Sequence, residues 1–113
     1  MNLTTEQTGG VSIVRVAETR LTYPMLGDFS STVNGLISSG KREILIDLAQ
    51  VTYMDSATIG CLMDLYRQIS VAGGHLKLSG VQKRVETMLK MTGAQNFIEI
   101  HADEPGAVRS FGV

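Results

Sequence analysis

The hydrophobic positions of the chain fall into short β-type runs separated by stretches with helical spacing. Val11, Ile13, Val14 and Val16 are β-branched and partly alternate, which predicts a strand starting just after Gly10. Leu21 and Tyr23 alternate with Arg20 and Thr22, so Thr19 to Tyr23 is expected to be a second short strand in an edge hairpin, stopped by Pro24. Phe29, Val33, Leu36 and Ile37 recur at helical spacing and predict a helix within Met25 to Ser39, with Gly40 as its stop. Ile44-Leu45-Ile46-Asp47-Leu48 is a nearly unbroken apolar run of the kind buried on both faces of a parallel sheet.

The second half repeats the alternation. After Val51-Thr52-Tyr53-Met54, the residues Ile59, Leu62, Met63, Tyr66 and Ile69 form an apolar stripe that predicts a helix over Ser56 to Val71. Gly73-Gly74 ends it, and His75 to Leu78 reads as a strand. Val81, Val85, Met88 and Leu89 predict a third helix over Val81 to Thr92, with Gly93 as its cap. Phe97 to Ile100 is expected to be the last strand, and Glu104 to Phe111 a short helix with Pro105 in its first turn. Strands alternating with helices imply an α/β fold, with a mainly parallel or mixed sheet of four to five strands and helices packed on it. Residues 1–113 are read as a single domain in which the polar stretch Met1 to Gly9 is flexible.

Composition narrows the function. The 113 residues are 43% hydrophobic and 19% charged, with a net charge of -1. That balance speaks against disorder and against a nucleic-acid partner, which usually requires a basic excess. One cysteine, Cys61, leaves neither an internal disulfide nor a multi-cysteine zinc site, and it is expected to pack as a small hydrophobe. The beginning of the chain lacks the basic and apolar regions of a secretory signal, and no stretch is long and apolar enough for a membrane span. A cytoplasmic location is the expectation. So small a chain leaves little room for a catalytic cleft, and a binding or switching module is favoured over an enzyme. No Gly-rich phosphate loop, metal-ligand cluster or cofactor motif is present, and Ser56 lies in no nucleophile elbow of the GxSxG type. His75 and His101 are read as surface residues at strand edges. Met54, Met63 and Met88 are read as core filler able to contribute to an adaptable partner surface. Lys83, Arg84 and Lys90 make a mildly basic helix face.

The chemistry concentrates at Asp55-Ser56-Ala57-Thr58-Ile59-Gly60, where the buried strand region meets the strongest helix. Asp and Ser both favour the helix N-cap, so one of Asp55 and Ser56 is expected to cap. Thr58 reads as a space-filling or capping residue. A serine hydroxyl at a helix start is also a suitable acceptor for a phosphoryl group, because free N–H groups and the positive helix end accommodate an anion. Cap and switch are compatible roles.

This segment, with its order and spacing, resembles a STAS domain, the fold of bacterial anti-sigma factor antagonists. The family runs a buried strand, a short apolar segment, then Asp-Ser-(Ser/Thr/Ala)-Gly-Leu-Gly opening a helix. Here the counterparts are Ile44 to Leu48, Val51 to Met54, and Asp55 to Gly60. Gly73-Gly74-His75-Leu76 and Leu89-Lys90-Met91-Thr92-Gly93 match further family segments, and the resemblance covers roughly Gly10 to Ile100. It implies that Ser56 is phosphorylated by a cognate anti-sigma factor serine kinase, which the unphosphorylated protein binds. It implies a metal-dependent serine phosphatase as the second partner, and Asp55, Ser56, Ala57, Thr58, Ile59 and Gly60 as partner-binding residues. The chain would then be a substrate and ligand, without catalytic residues, cofactor or metal of its own, and a monomer or weak dimer. Two departures stand out. Thr58 takes the place of the first motif glycine, where a β-branched residue would crowd a partner's approach. Glu18-Thr19-Arg20-Leu21 lacks the acid of the family's Gly-Glu-(Leu/Ile)-Asp segment. The alternative is a STAS adaptor subunit, not phosphorylated, in a lipid-transport or stress-signalling complex.

Overall fold

The computed structural model describes residues 1–113. Strands β1 (Leu3–Thr8), β2 (Val11–Val16), β4 (Glu43–Asp47), β6 (His75–Ser79) and β7 (Ile100–His101) form one sheet in the order β1-β2-β4-β6-β7. The last four are parallel, and β1 lies antiparallel at the edge. A separate two-stranded ribbon pairs β3 (Arg20–Leu21) with β5 (Tyr53–Met54) in parallel. The helices are α1 (Leu26–Ser38), α2 (Ser56–Val71), α3 (Lys83–Thr92) and the short α4 (Glu104–Ser110).

Strand alternation divides the side chains between two unequal cores. Val14, Val16, Ile44, Ile46, Leu76 and Leu78 face the side covered by α1, α2 and α3, where a cluster of 20 buried residues forms the main core. Val11, Ile13 and Leu45 face the other side and meet only α4, through Ala107, Val108 and Phe111. This is why the run around Leu45 is apolar on both faces. Asp47 is its exception: it shares an ion pair with Arg15 at 2.9 Å, and the same guanidinium holds Glu104 of α4. Lys77, almost fully buried on this face, donates to the Ser110 carbonyl at 3.1 Å and lies over the Phe111 ring.

The α/β fold, the alternation and the helix over Ser56 to Val71 agree with the sequence reading. Three elements differ. The stretch expected to be flexible at the beginning contains β1, which pairs with β2 through all six of its residues. Gly9 and Gly10 close this hairpin with φ of 53° and 86°, the left-handed pair that a tight two-residue turn requires. The expected hairpin between Val11–Val16 and Thr19–Tyr23 does not form. Both edges of β2 are already occupied, by β1 and β4, so Arg20 and Leu21 pair with Tyr53 and Met54 instead. The last strand begins at Ile100, because Ala94–Asn96 forms a 3-10 turn that leaves Phe97 exposed and buries Ile98.

Candidate functional site

The chain leaves the carboxyl end of β4, passes through β5 and enters α2 at Asp55. Asp55 is extended (φ -96°, ψ 175°) and is the N-cap, its Oδ1 accepting the Thr58 N–H at 2.9 Å. Its Oδ2 accepts the Tyr23 N–H at 2.9 Å, tying the segment ahead of α1 to the start of α2. The Thr58 hydroxyl lies 2.7 Å from Asp55 Oδ1 and 2.8 Å from the Leu21 carbonyl oxygen. These bonds favour the anion. The Thr58 hydroxyl most of all, against the opposing effect of burial and with the Tyr23 N–H in support, holds the Asp55 carboxyl below the ordinary aspartate value.

Asp55 therefore performs the capping that the sequence left open between Asp55 and Ser56. Ser56 is the first residue of α2 and is exposed, as are Ala57 and Gly60. Thr58 is fully buried, and Ile59 is 5% exposed. The six expected contact residues thus divide: Asp55, Ser56, Ala57 and Gly60 reach the surface, Thr58 belongs to the interior, and Ile59 is buried apart from its share of a cleft with Ser56. The expectation that Thr58 crowds an approaching partner is corrected, because its side chain turns inward to Leu21. Of the two roles expected for it, filling space is the one it has: it is buried, and its N–H is capped by Asp55.

Two clefts border this helix start. One, of about 390 Å³, runs between α1 and α2, with Ser30, Ala57, Gly60 and Cys61 in its lining. Cys61 is half-buried against the core, and its Sγ reaches Ser30 Oγ at 3.1 Å. The second, about 150 Å³, lies between α2 and α3 and is formed by Ser56, Ile59, Met88, Met91 and Thr92. Met88 and Met63 are half-buried, but Met54 is fully buried, so it cannot contribute to a partner surface as expected. His75 sits at the amino end of β6, at the opposite end of the sheet from Ser56, and pairs with Glu43 at 2.9 Å. His101 bonds to Glu99 on the α4 face. No Ser–His–Asp constellation assembles around Ser56.

Sequence reasoning missed a cluster beside this site. The Tyr53 ring carries the Arg20 guanidinium at 4.4 Å and that of Arg84 at 5.6 Å from its centroid. The three residues come from β3, β5 and α3. The mildly basic face around Arg84 was visible in the sequence, but its meeting with Arg20 depends on the parallel pairing of β3 and β5.

A family model described as STAS domain matches residues 2–107. The anti-sigma-B factor antagonist of Bacillus subtilis (strain 168) is 31% identical over 67 residues, which cover 59% of this chain and 62% of that protein. The chain matches about three fifths of the length of its curated relatives. Among solved structures, an anti-sigma-factor antagonist (STAS) domain protein from Planctomyces limnophilus superposes with a TM-score of 0.89 at 18% identity, covering 98% of each chain. The antagonist SpoIIAA in its unphosphorylated form superposes with a TM-score of 0.83 at 18% identity, covering 99% of this chain and 98% of that one. The phosphorylated form of SpoIIAA, from Bacillus, gives a TM-score of 0.74 at 16% identity over 96% of this chain and 98% of the other. Their identities make these structural likenesses evidence for the fold. No helix of the chain is long and apolar enough to cross a membrane.

Proposed function

Because the chain belongs to the STAS domain family, we propose that it is an anti-sigma factor antagonist, switched by phosphorylation of Ser56. In the unphosphorylated state it binds an anti-sigma factor serine kinase in the cytoplasm through the surface around Asp55, Ser56, Ala57, Ile59 and Gly60. The observation that carries this reading is the division of labour at the start of α2. Asp55 takes up the capping bond, and Ser56 stands at the surface beside it.

The chemistry of the switch follows from charge. The kinase supplies ATP and the catalytic groups. The Ser56 oxygen forms the new bond to the γ-phosphorus, the bond from that phosphorus to the bridging oxygen breaks, and ADP leaves. The serine proton passes to the kinase's base. The product places about -1.5 to -2 charges next to the Asp55 carboxylate. The helix end accommodates this charge, so the fold is retained. A partner that covered the neutral serine would now have to desolvate a phosphoryl dianion next to another anion, which opposes binding. A metal-dependent serine phosphatase hydrolyses the ester and restores the binding state. The names of the relatives and the existence of SpoIIAA in both forms support this reading.

The test is intact-mass measurement with site mapping on protein isolated from its own host with phosphatases inhibited. A fraction carrying one phosphoryl group on Ser56 is expected, and Ser56→Ala should abolish it. Absence of phosphate under growth and stress conditions alike would overturn the switch and leave the adaptor reading.

A further inference from the structure

The Arg20–Tyr53–Arg84 cluster has no structural account in the cap, the clefts or the core. Arg20 and Arg84 are both exposed. The arginine–carboxylate pairs of the molecule are made by Arg15 and Arg67, and neither Arg20 nor Arg84 takes part in one. The carboxylates nearest in the chain are engaged elsewhere. Asp55 is bound to Thr58 and Tyr23, Glu86 pairs with Lys90, and Glu18 accepts the Asn2 N–H. Two guanidiniums sharing one ring repel each other. A stacked guanidinium is nevertheless held in a fixed orientation and keeps its edge free for bidentate pairing with a carboxylate.

The cluster is continuous with the methionine cleft at Ser56. Arg84, Met88 and Met91 follow one another at helical spacing of four and three, so they share a face of α3. Met88 and Met91 line the cleft that contains Ser56, and Met91 is 82% exposed. Arginine and tyrosine are the residue types enriched at interface hot spots, and methionine adapts its shape to a partner's side chain.

We infer that Arg20 and Arg84, braced on Tyr53, are the cationic half of the docking surface for the partner kinase, which meets them with carboxylates. Met88 and Met91 form the apolar half. The inference rests on the proposed antagonist role and adds the charge of the partner: a kinase surface rich in Asp or Glu opposite this cluster. Two arginines without carboxylate partners, one of them on the α3 face that runs into the Ser56 cleft, are complementary to an acidic surface, which they would steer in and hold in register.

The test uses the intact unphosphorylated protein and the host kinase that modifies Ser56, with affinity measured by calorimetry at low and high salt. Arg20→Glu with Arg84→Glu should weaken binding by about tenfold or more and flatten its salt dependence. Arg20→Gln with Arg84→Gln should give an intermediate loss. Lys41→Glu, at the opposite end of the sheet, should stay within about twofold of wild type. Unchanged thermal unfolding of each variant excludes misfolding. Wild-type binding that survives both double substitutions within twofold would overturn the inference while leaving the antagonist role standing. Failure of the wild-type protein to bind the kinase would overturn that role and this inference with it.

Discussion

Asp55 and Thr58 are joined twice, through the Thr58 N–H at 2.9 Å and the Thr58 hydroxyl at 2.7 Å, both to Asp55 Oδ1. The same hydroxyl lies 2.8 Å from the Leu21 carbonyl oxygen, and its one proton is shared between the two acceptors, so one buried group links α2, its cap and β3. Valine has nearly the shape of threonine, with a methyl group in place of the hydroxyl. Thr58→Val is expected to destabilise the protein by about 1–3 kcal/mol, the range for a buried acceptor deprived of its partner. Thr58→Ser should recover most of that loss. Urea unfolding with an unchanged slope is the measurement, and a valine variant as stable as wild type would remove the hydroxyl from this account.

The same bonds set an acid response. The folded-state pKa of Asp55 is depressed, first by the Thr58 hydroxyl and then, against burial, by the Tyr23 N–H. A depressed carboxyl contributes stability that is fully present above its unfolded value, about 4. That contribution is lost as pH falls through the folded value. The stability gap between wild type and Asp55→Asn should therefore be constant near neutrality and shrink steadily below about pH 4. Asparagine can still cap, but its amide would face the Tyr23 N–H, donor against donor. Thermal unfolding from about pH 2.5 to about pH 7 reads the effect, and parallel curves for the two proteins would contradict it.

Ser56 permits folding and switching to be separated. As an exposed first-turn residue it should tolerate substitution, with Ser56→Ala changing stability by less than about 0.5 kcal/mol. Ser56→Asp adds a negative charge at a helix start, where it stabilises by about 0.3–1 kcal/mol. The aspartate variant should thus be at least as heat-stable as wild type and yet bind the kinase about tenfold more weakly, while the alanine variant binds normally. Equal affinities for the two variants would dismiss the electrostatic switch.

How much of this could be read in advance depended on whether a residue's surroundings are local. Ile44 to Leu48 and the stripe from Ile59 to Ile69 carry their own periodicity, so the buried strand and α2 were legible. β1 was not, because in Leu-Thr-Thr-Glu-Gln-Thr only Leu3 meets the core, and an edge strand needs little apolar pattern. Gly9-Gly10 between two extended stretches was the signal available for that hairpin. The position of Ser56, the proposed acceptor, was legible as a helix start. The inward turn of Thr58 was not, since its partner Leu21 is 37 residues away. Tyr53 and Arg84 likewise meet only once α3 has packed beside β5.

Two glycines separate structural from functional demands. A Cβ at Gly74 would lie 2.1 Å from the Arg42 carbonyl oxygen, where the chain enters β6 through the His75 N–H bond to that same oxygen. Gly74→Ala must displace the backbone and is expected to cost more than about 3 kcal/mol. Gly60 is the opposite case: it lies within α2, and a Cβ there meets nothing within 4 Å. Replacing a mid-helix glycine by alanine stabilises by roughly 0.5–1 kcal/mol. Gly60 also lines the α1–α2 cleft next to Ala57, on the surface proposed to receive the kinase. A methyl group there narrows the close approach that a bare backbone allows. Gly60→Ala is therefore expected to unfold at higher denaturant and to bind the kinase more weakly. Stability and affinity measured on the same preparation decide the point: a variant that is more stable and binds as tightly as wild type would move the docking surface off Gly60, towards the α3 side of Ser56.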